Sequence, residues 1–182
     1  MEININQNKV SIGDKYKIFI GERQAYMAAA KLFRWLAEIQ LIDMDERPKL
    51  IIKKKWFFIR PSYTIIRGQD TYAFETISFW KNHFQCQAGA DVYDVYGHKG
   101  RKYSIYKNDK QVAWWDKARV TWFAGDNYKM MADNNSDTEL LIALALVVDN
   151  AKSNQNDKGA VTVNIGHIGP QAKKFDPSWQ PK

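Results

Sequence analysis

Residues 140–148, Leu-Leu-Ile-Ala-Leu-Ala-Leu-Val-Val, are apolar without interruption, and this run constrains the fold more than any other feature of the chain. It lies inside "SDTELLIALALVVDNA" (136–151), which reads as a helix. A surface helix shows one apolar stripe and one polar face, whereas a helix apolar all round has to be enclosed. As a helix the nine residues span about 13 Å, and a bilayer crossing needs roughly 20 residues. The enclosure must come from protein. At the helix start, Ser136 and Glu139 have the spacing of a capping box. Asp137 and Glu139 also suit the positive end of the helix dipole.

The material for the enclosure precedes it. Up to about residue 132 the pattern is short and strand-like: "YKIFI" (16–20), "AYMAAAK", "KLIIKKK" (49–55), "RPSYTII" (60–66), "TYAFETISFW" (71–80), "FQCQA" (84–88), "DVYDVYG" (91–97) and "RVTWF" (119–123). "RKYSIYKNDKQVAWWDKA" reads as a hairpin with Asn108-Asp109 at its tip, two residues that tolerate the positive φ of tight turns. Turn signals recur about every 8 to 15 residues, as expected of an antiparallel barrel or sandwich. "LFRWLAEIQLIDMDE" (32–46) can be read as helical by spacing, but it lies between strands and is read as extended. An aromatic share of 14%, with seven Trp, suits strands. The strands are expected to close into a barrel, with the helix as its plug.

The order of these elements resembles the LURP-one-related family, which shares the tubby C-terminal fold with the phospholipid scramblases. The resemblance is carried by "NINQNKVSIGDKYKIFIGERQAYMAAA", "KKKWFFIRPSYTI", "VYDVYGHKGRKYSIYKNDKQVAWWDKARVTWFAGDNYKM" and the apolar helix, over roughly residues 3 to 151. It implies a mostly β protein: a closed antiparallel barrel of about twelve strands around a central hydrophobic C-terminal helix. Functionally it implies little. Tubby domains bind phosphoinositide head groups through basic residues and scramblases act at membranes, but no such motif aligns here residue by residue. Fold alone does not assign function.

The expected domain is 1–152, followed by a polar, Gly- and Pro-containing tail, 153–182, read as a mobile extension. Its Phe175 and Trp179 are candidate anchors for a partner. The net charge of +7 divides unevenly: residues 152–182 hold five Lys against two acids, and the first 151 hold 22 basic against 18 acidic side chains. A mild excess attracts polyanions without selecting among them. The best basic-aromatic cluster is "KKKWFFIR", in which Lys53, Lys54, Lys55 and Arg60 would grip phosphates while Trp56 or Phe57 lies at an interface. The competing reading is an edge strand whose lysines discourage aggregation. A second basic group, "GHKGRK" (97–102), offers Lys99, Arg101 and Lys102, or else is a solvated hairpin tip.

Other chemistries find no pattern. "DNNSDTE" (133–139) imitates a calcium loop, but Thr138 stands where Gly is needed and Leu144 where a bidentate Glu is needed. His83, His98 and His167 are scattered and have no metal-ligand spacing with Cys86. There is no nucleotide loop and no Gly-x-Ser-x-Gly elbow. The sequence is therefore read as a non-enzymatic binding or scaffold module with no metal and no cofactor. Its expected partner is anionic phospholipid or a phosphoinositide. The alternative is a protein-interaction or oligomerisation module acting through a strand edge or the tail; nucleic acid is permitted by the charge but not favoured. One cysteine excludes an intrachain disulfide, and no secretory leader is read at the N-terminus. The expected location is cytoplasmic, peripheral at the membrane if lipid is the ligand.

Overall fold

Alternation of apolar and polar side chains sets the strands, and the computed structural model describes them over residues 1–10, 13–33, 36–55, 61–118, 127–156 and 169–182. Among the described residues there are twelve strands and one helix: β1 (Glu2–Val10), β2 (Gly13–Ile20), β3 (Arg23–Phe33), β4 (Leu36–Asp43), β5 (Pro48–Lys55), β6 (Ser62–Arg67), β7 (Asp70–Ser78), β8 (His83–Ala88), β9 (Asp91–Gly97), β10 (Lys102–Lys107), β11 (Lys110–Ala118), β12 (Asn127–Ala132) and α1 (Thr138–Asn156). Each strand pairs with its neighbours in sequence, and β1 pairs antiparallel with β12 to complete a closed barrel. Within the segment 32–46, residues 32–33 end β3 and 36–43 form β4, extended as expected, while 44–46 turn towards β5 and 34–35 lie outside the described residues. The expected strand "RVTWF" lies outside the described residues.

One phase of every strand faces inward. Ile3 and Ile5, Tyr63 and Ile65, Phe74, Phe84 and Cys86, Trp115 and Met130 are all at most 1% exposed. Eight strands enclose an interior that side chains alone can fill, and diameter grows with strand number. Twelve leave a wider lumen, and a helix about 10–12 Å across fills it. Leu140 to Val148 are each no more than 2% exposed. The apolar run is wrapped on all sides by the chain's own sheet, which is why it needs no polar face.

Closure has a second consequence. None of the twelve described strands has an unpaired long edge, so interaction by strand addition, one of the expected routes, has no edge to use. β5 in particular lies between β4 and β6, so its lysines are not edge-strand guards.

Successive strands alternate in direction, so hairpins after even-numbered strands gather at one rim and those after odd-numbered strands at the other. α1 starts at the first rim, where it is clamped. Arg67, at the end of β6, donates to both carboxylate oxygens of Asp137 at 2.6 Å and lies 3.5 Å from Glu139. The Tyr26 hydroxyl donates to Glu139 at 3.3 Å. The N-cap is Asp137, which accepts from the Leu140 amide at 3.1 Å, and not Ser136, whose hydroxyl donates to the Asp133 carbonyl. The helix begins one residue later than the capping-box spacing suggests, and the acid that caps it is also the arginine's partner. Burial works against the Asp137 carboxylate, but Arg67 and the Leu140 amide together hold its pKa below the ordinary aspartate value. These contacts also occupy two of the carboxylates in the calcium-like stretch.

Candidate functional site

The far rim, where α1 ends, collects basic side chains. Three hairpin ends stand next to one another along it: β5–β6, β7–β8 and β9–β10. Strands lie about 4.8 Å apart, so successive hairpin ends are separated by roughly 10 Å. Lys53, Lys54 and Lys55 finish β5, and Lys99, Arg101 and Lys102 lie at the β9–β10 connection. The two groups singled out in sequence are thus on the same rim, about 20 Å apart by the same strand spacing, and do not converge on one pocket. Lys53, Lys55 and Lys99 are exposed, while Lys54 and Arg101 are half-buried. Lys53 lies 3.8 Å from Glu38. Lys102 turns towards the ring of Phe175, its Nζ 5.2 Å from the centroid. Arg60, Trp56 and Phe57 lie outside the described residues.

Between the two basic groups stands the β7–β8 turn, which the sequence reading missed. "TYAFETISFW" reads as one strand, but β7 ends at Ser78. A register shift between Thr76 and Ser78 bulges Ile77 outward, and Asn82 adopts a positive φ of 48°. The turn is tightly fixed. The Asn82 amide donates to the Phe79 carbonyl at 3.2 Å, and the Gly97 amide donates to the Asn82 carbonyl at 2.8 Å. The Thr76 hydroxyl donates to the Pro61 carbonyl at 2.9 Å. Gly97 is required for this approach: a Cβ there would stand 2.5 Å from that of Asn82. It serves close contact, whereas the turn geometry of the 98–101 connection comes from Gly100 at φ 75°.

Lys152 of α1 anchors the same turn from within. Its ammonium donates to the Asn82 side-chain carbonyl and lies 5.0 Å from the Phe79 ring centroid and 6.0 Å from that of Phe84. Burial lowers its pKa to about 8. Beside it, Lys117 donates to Asp149 at 2.7 Å and the Tyr16 hydroxyl donates to the other Asp149 oxygen at 3.2 Å. Tyr63 donates to Asn150 at 3.0 Å. Cations at this end suit the negative pole of the helix. The turn itself presents Ile77, Phe79 and Trp80 outward, with Trp80 83% exposed. They are three of the four exposed large hydrophobic residues among the described ones.

Two of the histidines lie on the same rim, His83 directly after the β7–β8 turn and His98 in the β9–β10 connection, and both are engaged locally. His83 bonds Asp94 at 2.7 Å, with Gln85 donating to the same carboxylate, and stacks on Tyr96. His98 bonds the Ser104 hydroxyl at 2.7 Å, but both are at most 2% exposed. Phe175 lies edge-on to His98 and to Trp114, so the pair sits beneath the 169–182 segment. That segment touches the barrel further along: Lys173 Nζ is 3.6 Å from the Tyr106 ring centroid, and the Trp179 indole donates to the Gln111 carbonyl at 3.2 Å. His167 lies outside the described residues. Cys86 points into the barrel, and burial pushes its thiol pKa up to about 12, which removes it as a nucleophile. A surface groove of about 430 Å³ on the outer wall is lined by Asn4, Asn6, Phe19, Gly21, Asn127, Tyr128 and Lys129; none of these is a carboxylate or a thiol. Among the described residues no helix is long and apolar enough to cross a membrane.

A twelve-stranded antiparallel barrel filled by its own C-terminal hydrophobic helix defines a tubby-like barrel domain. The sequence agrees at the level of family: the model of the LURP-one-related family matches residues 1–149, and the chain belongs to that family. No curated protein and no solved structure matches the chain.

Proposed function

We propose that this protein is a non-enzymatic binding domain that engages anionic phospholipid surfaces through the far rim of its barrel. The observation that supports the reading is the distribution of charge along that rim. Lys53 and Lys55 at one hairpin end, Lys81 at the next and Lys99 at the third are all exposed. Neither Lys55, Lys81 nor Lys99 has a carboxylate partner among the described residues. Each basic residue near an anionic surface contributes on the order of 1 kcal/mol, and the attraction decays within a Debye length of about 8 Å. Four such residues on one rim give a surface that binds by charge, with the ligand read as a plane and not as a molecule in a pocket.

Co-sedimentation with vesicles tests this. Vesicles containing phosphatidylserine or a phosphoinositide should pellet the protein at low salt, with binding falling steeply as salt rises, while neutral phosphatidylcholine vesicles should not. Lys53→Ala/Lys55→Ala/Lys99→Ala should abolish most of the binding. Equal pelleting with neutral and anionic vesicles would remove head-group attraction as the mechanism.

A further inference from the structure

We propose that the 77–81 turn is an apolar knuckle that enters the interfacial zone of an anionic bilayer, with the Trp80 indole as its wedge. The proposal rests on the lipid-surface reading above and names the element that makes the contact apolar as well as ionic. Three observations carry it. Ile77, Phe79 and Trp80 are exposed within four positions of one hairpin end, Trp80 by far the most at 83%. The hairpin is held rigidly, with the Phe79, Asn82 and Gly97 backbone bonds beneath it and Lys152 bonded to Asn82 from the helix. The indole is therefore presented on a fixed support and not on a floppy loop.

The third observation is charge complementarity. The register places the knuckle midway between the hairpin end that carries Lys55 and the one that carries Lys99, with Lys81 next to the indole in sequence. Trp concentrates at membrane interfaces because its ring is amphipathic, apolar in body with one N–H donor. An indole flanked by lysines within roughly 10 Å on either side matches a plane that offers phosphate outside and acyl chain just beneath. A protein partner would need a complementary acidic collar around an apolar socket; a bilayer supplies both over any orientation about its normal.

Two variants separate this from the charge reading. Trp80→Ala, at an exposed position, should leave the urea midpoint unchanged and weaken binding to phosphatidylserine vesicles by about tenfold, an estimate from partial burial of an aromatic side chain. Trp80→Phe should bind nearly as wild type but lose the part of the fluorescence that brominated acyl chains quench in the wild-type protein. Salt-dependent binding of wild type that Trp80→Ala retains in full, with no Trp80-specific quenching, would overturn the knuckle and leave the charged rim standing. Absence of any binding to anionic vesicles would overturn both. If Trp80→Ala instead changed the mass in light scattering or released a co-purifying protein, with vesicle binding intact, the knuckle would be a protein contact and the proposal wrong.

Discussion

Replacing Arg67 by Met should loosen the start of α1 without touching the barrel's apolar interior. Arg67 makes a two-pronged contact with Asp137, both bonds 2.6 Å, and the side chains are 28% and 31% exposed. That places the pair between two regimes. Exposed ion pairs contribute about 0–1 kcal/mol, and stripping one partner from a buried pair costs about 3–5 kcal/mol. A loss of about 2 kcal/mol follows. Asp137→Asn is the fitting second arm, because asparagine still accepts from the Leu140 amide as an N-cap. A double-mutant cycle by urea denaturation should give a coupling of about 1–2 kcal/mol. The sign with pH is also fixed. Asp137 has a folded pKa below its unfolded one, so the clamp is at full strength above the unfolded value, about 3.9, and fades as pH falls through the folded value. The gap between wild type and Arg67→Met should therefore narrow as pH is lowered from 5 towards 3. Additive single variants, or a gap that stays constant over that range, would refute the clamp.

Lys152 gives a dependence at the other end of the scale. Its folded pKa of about 8 lies below the ordinary lysine value of about 10.4, so between these values the unfolded chain binds more protons and stability rises with pH; Lys152→Met should abolish that rise in urea midpoints measured from pH 7.5 to 10. Gly97→Ala should cost about 1–3 kcal/mol, since the added methyl collides with Asn82 and the closely packed turn has to shift. The same variant should alter the emission of Trp80. Cys86, fully buried with its thiol pushed up to about 12, should resist a thiol reagent in native buffer and react fully in denaturant; fast labelling of native protein would contradict its inward placement.

Period-two alternation and one uninterrupted apolar run show strands and a helix that must be enclosed, because both are strong, local signals that a solvent boundary imposes; the count of about twelve strands comes from the family resemblance. Asn108 and Asp109, with φ of 47° and 65°, form the tip expected between "KYSIYK" and "KQVAWW". The cap slipped by one residue because Ser136 and Asp137 are both good N-caps, and the choice was made by Arg67, seventy positions away in sequence. The rim was half legible. "KKKWFFIR" and "GHKGRK" announce themselves by composition, but their separation by four strands depends on the ring order, which no local pattern carries. "ISFWK" stayed hidden because apolar residues at a strand's end look like more strand. What makes Phe79 and Trp80 a turn is the bulge at Ile77, the left-handed Asn82 and the space left by Gly97, and these are properties of the assembled rim.

The ring is completed by pairing β1 with β12, with α1 inside. During synthesis the first strand emerges long before its final neighbour, and the plug follows all twelve strands. All twelve strands therefore wait, with apolar faces that have nothing to cover, until about residue 150 has left the ribosome. At roughly 5–20 residues per second the first strand stays in this state for about 7 to 28 seconds, and pairings between distant parts of a chain are slow to form. Maturation of this protein should depend on chaperones that shield nascent sheets, and truncation anywhere within α1 should yield insoluble chain instead of a partly working domain.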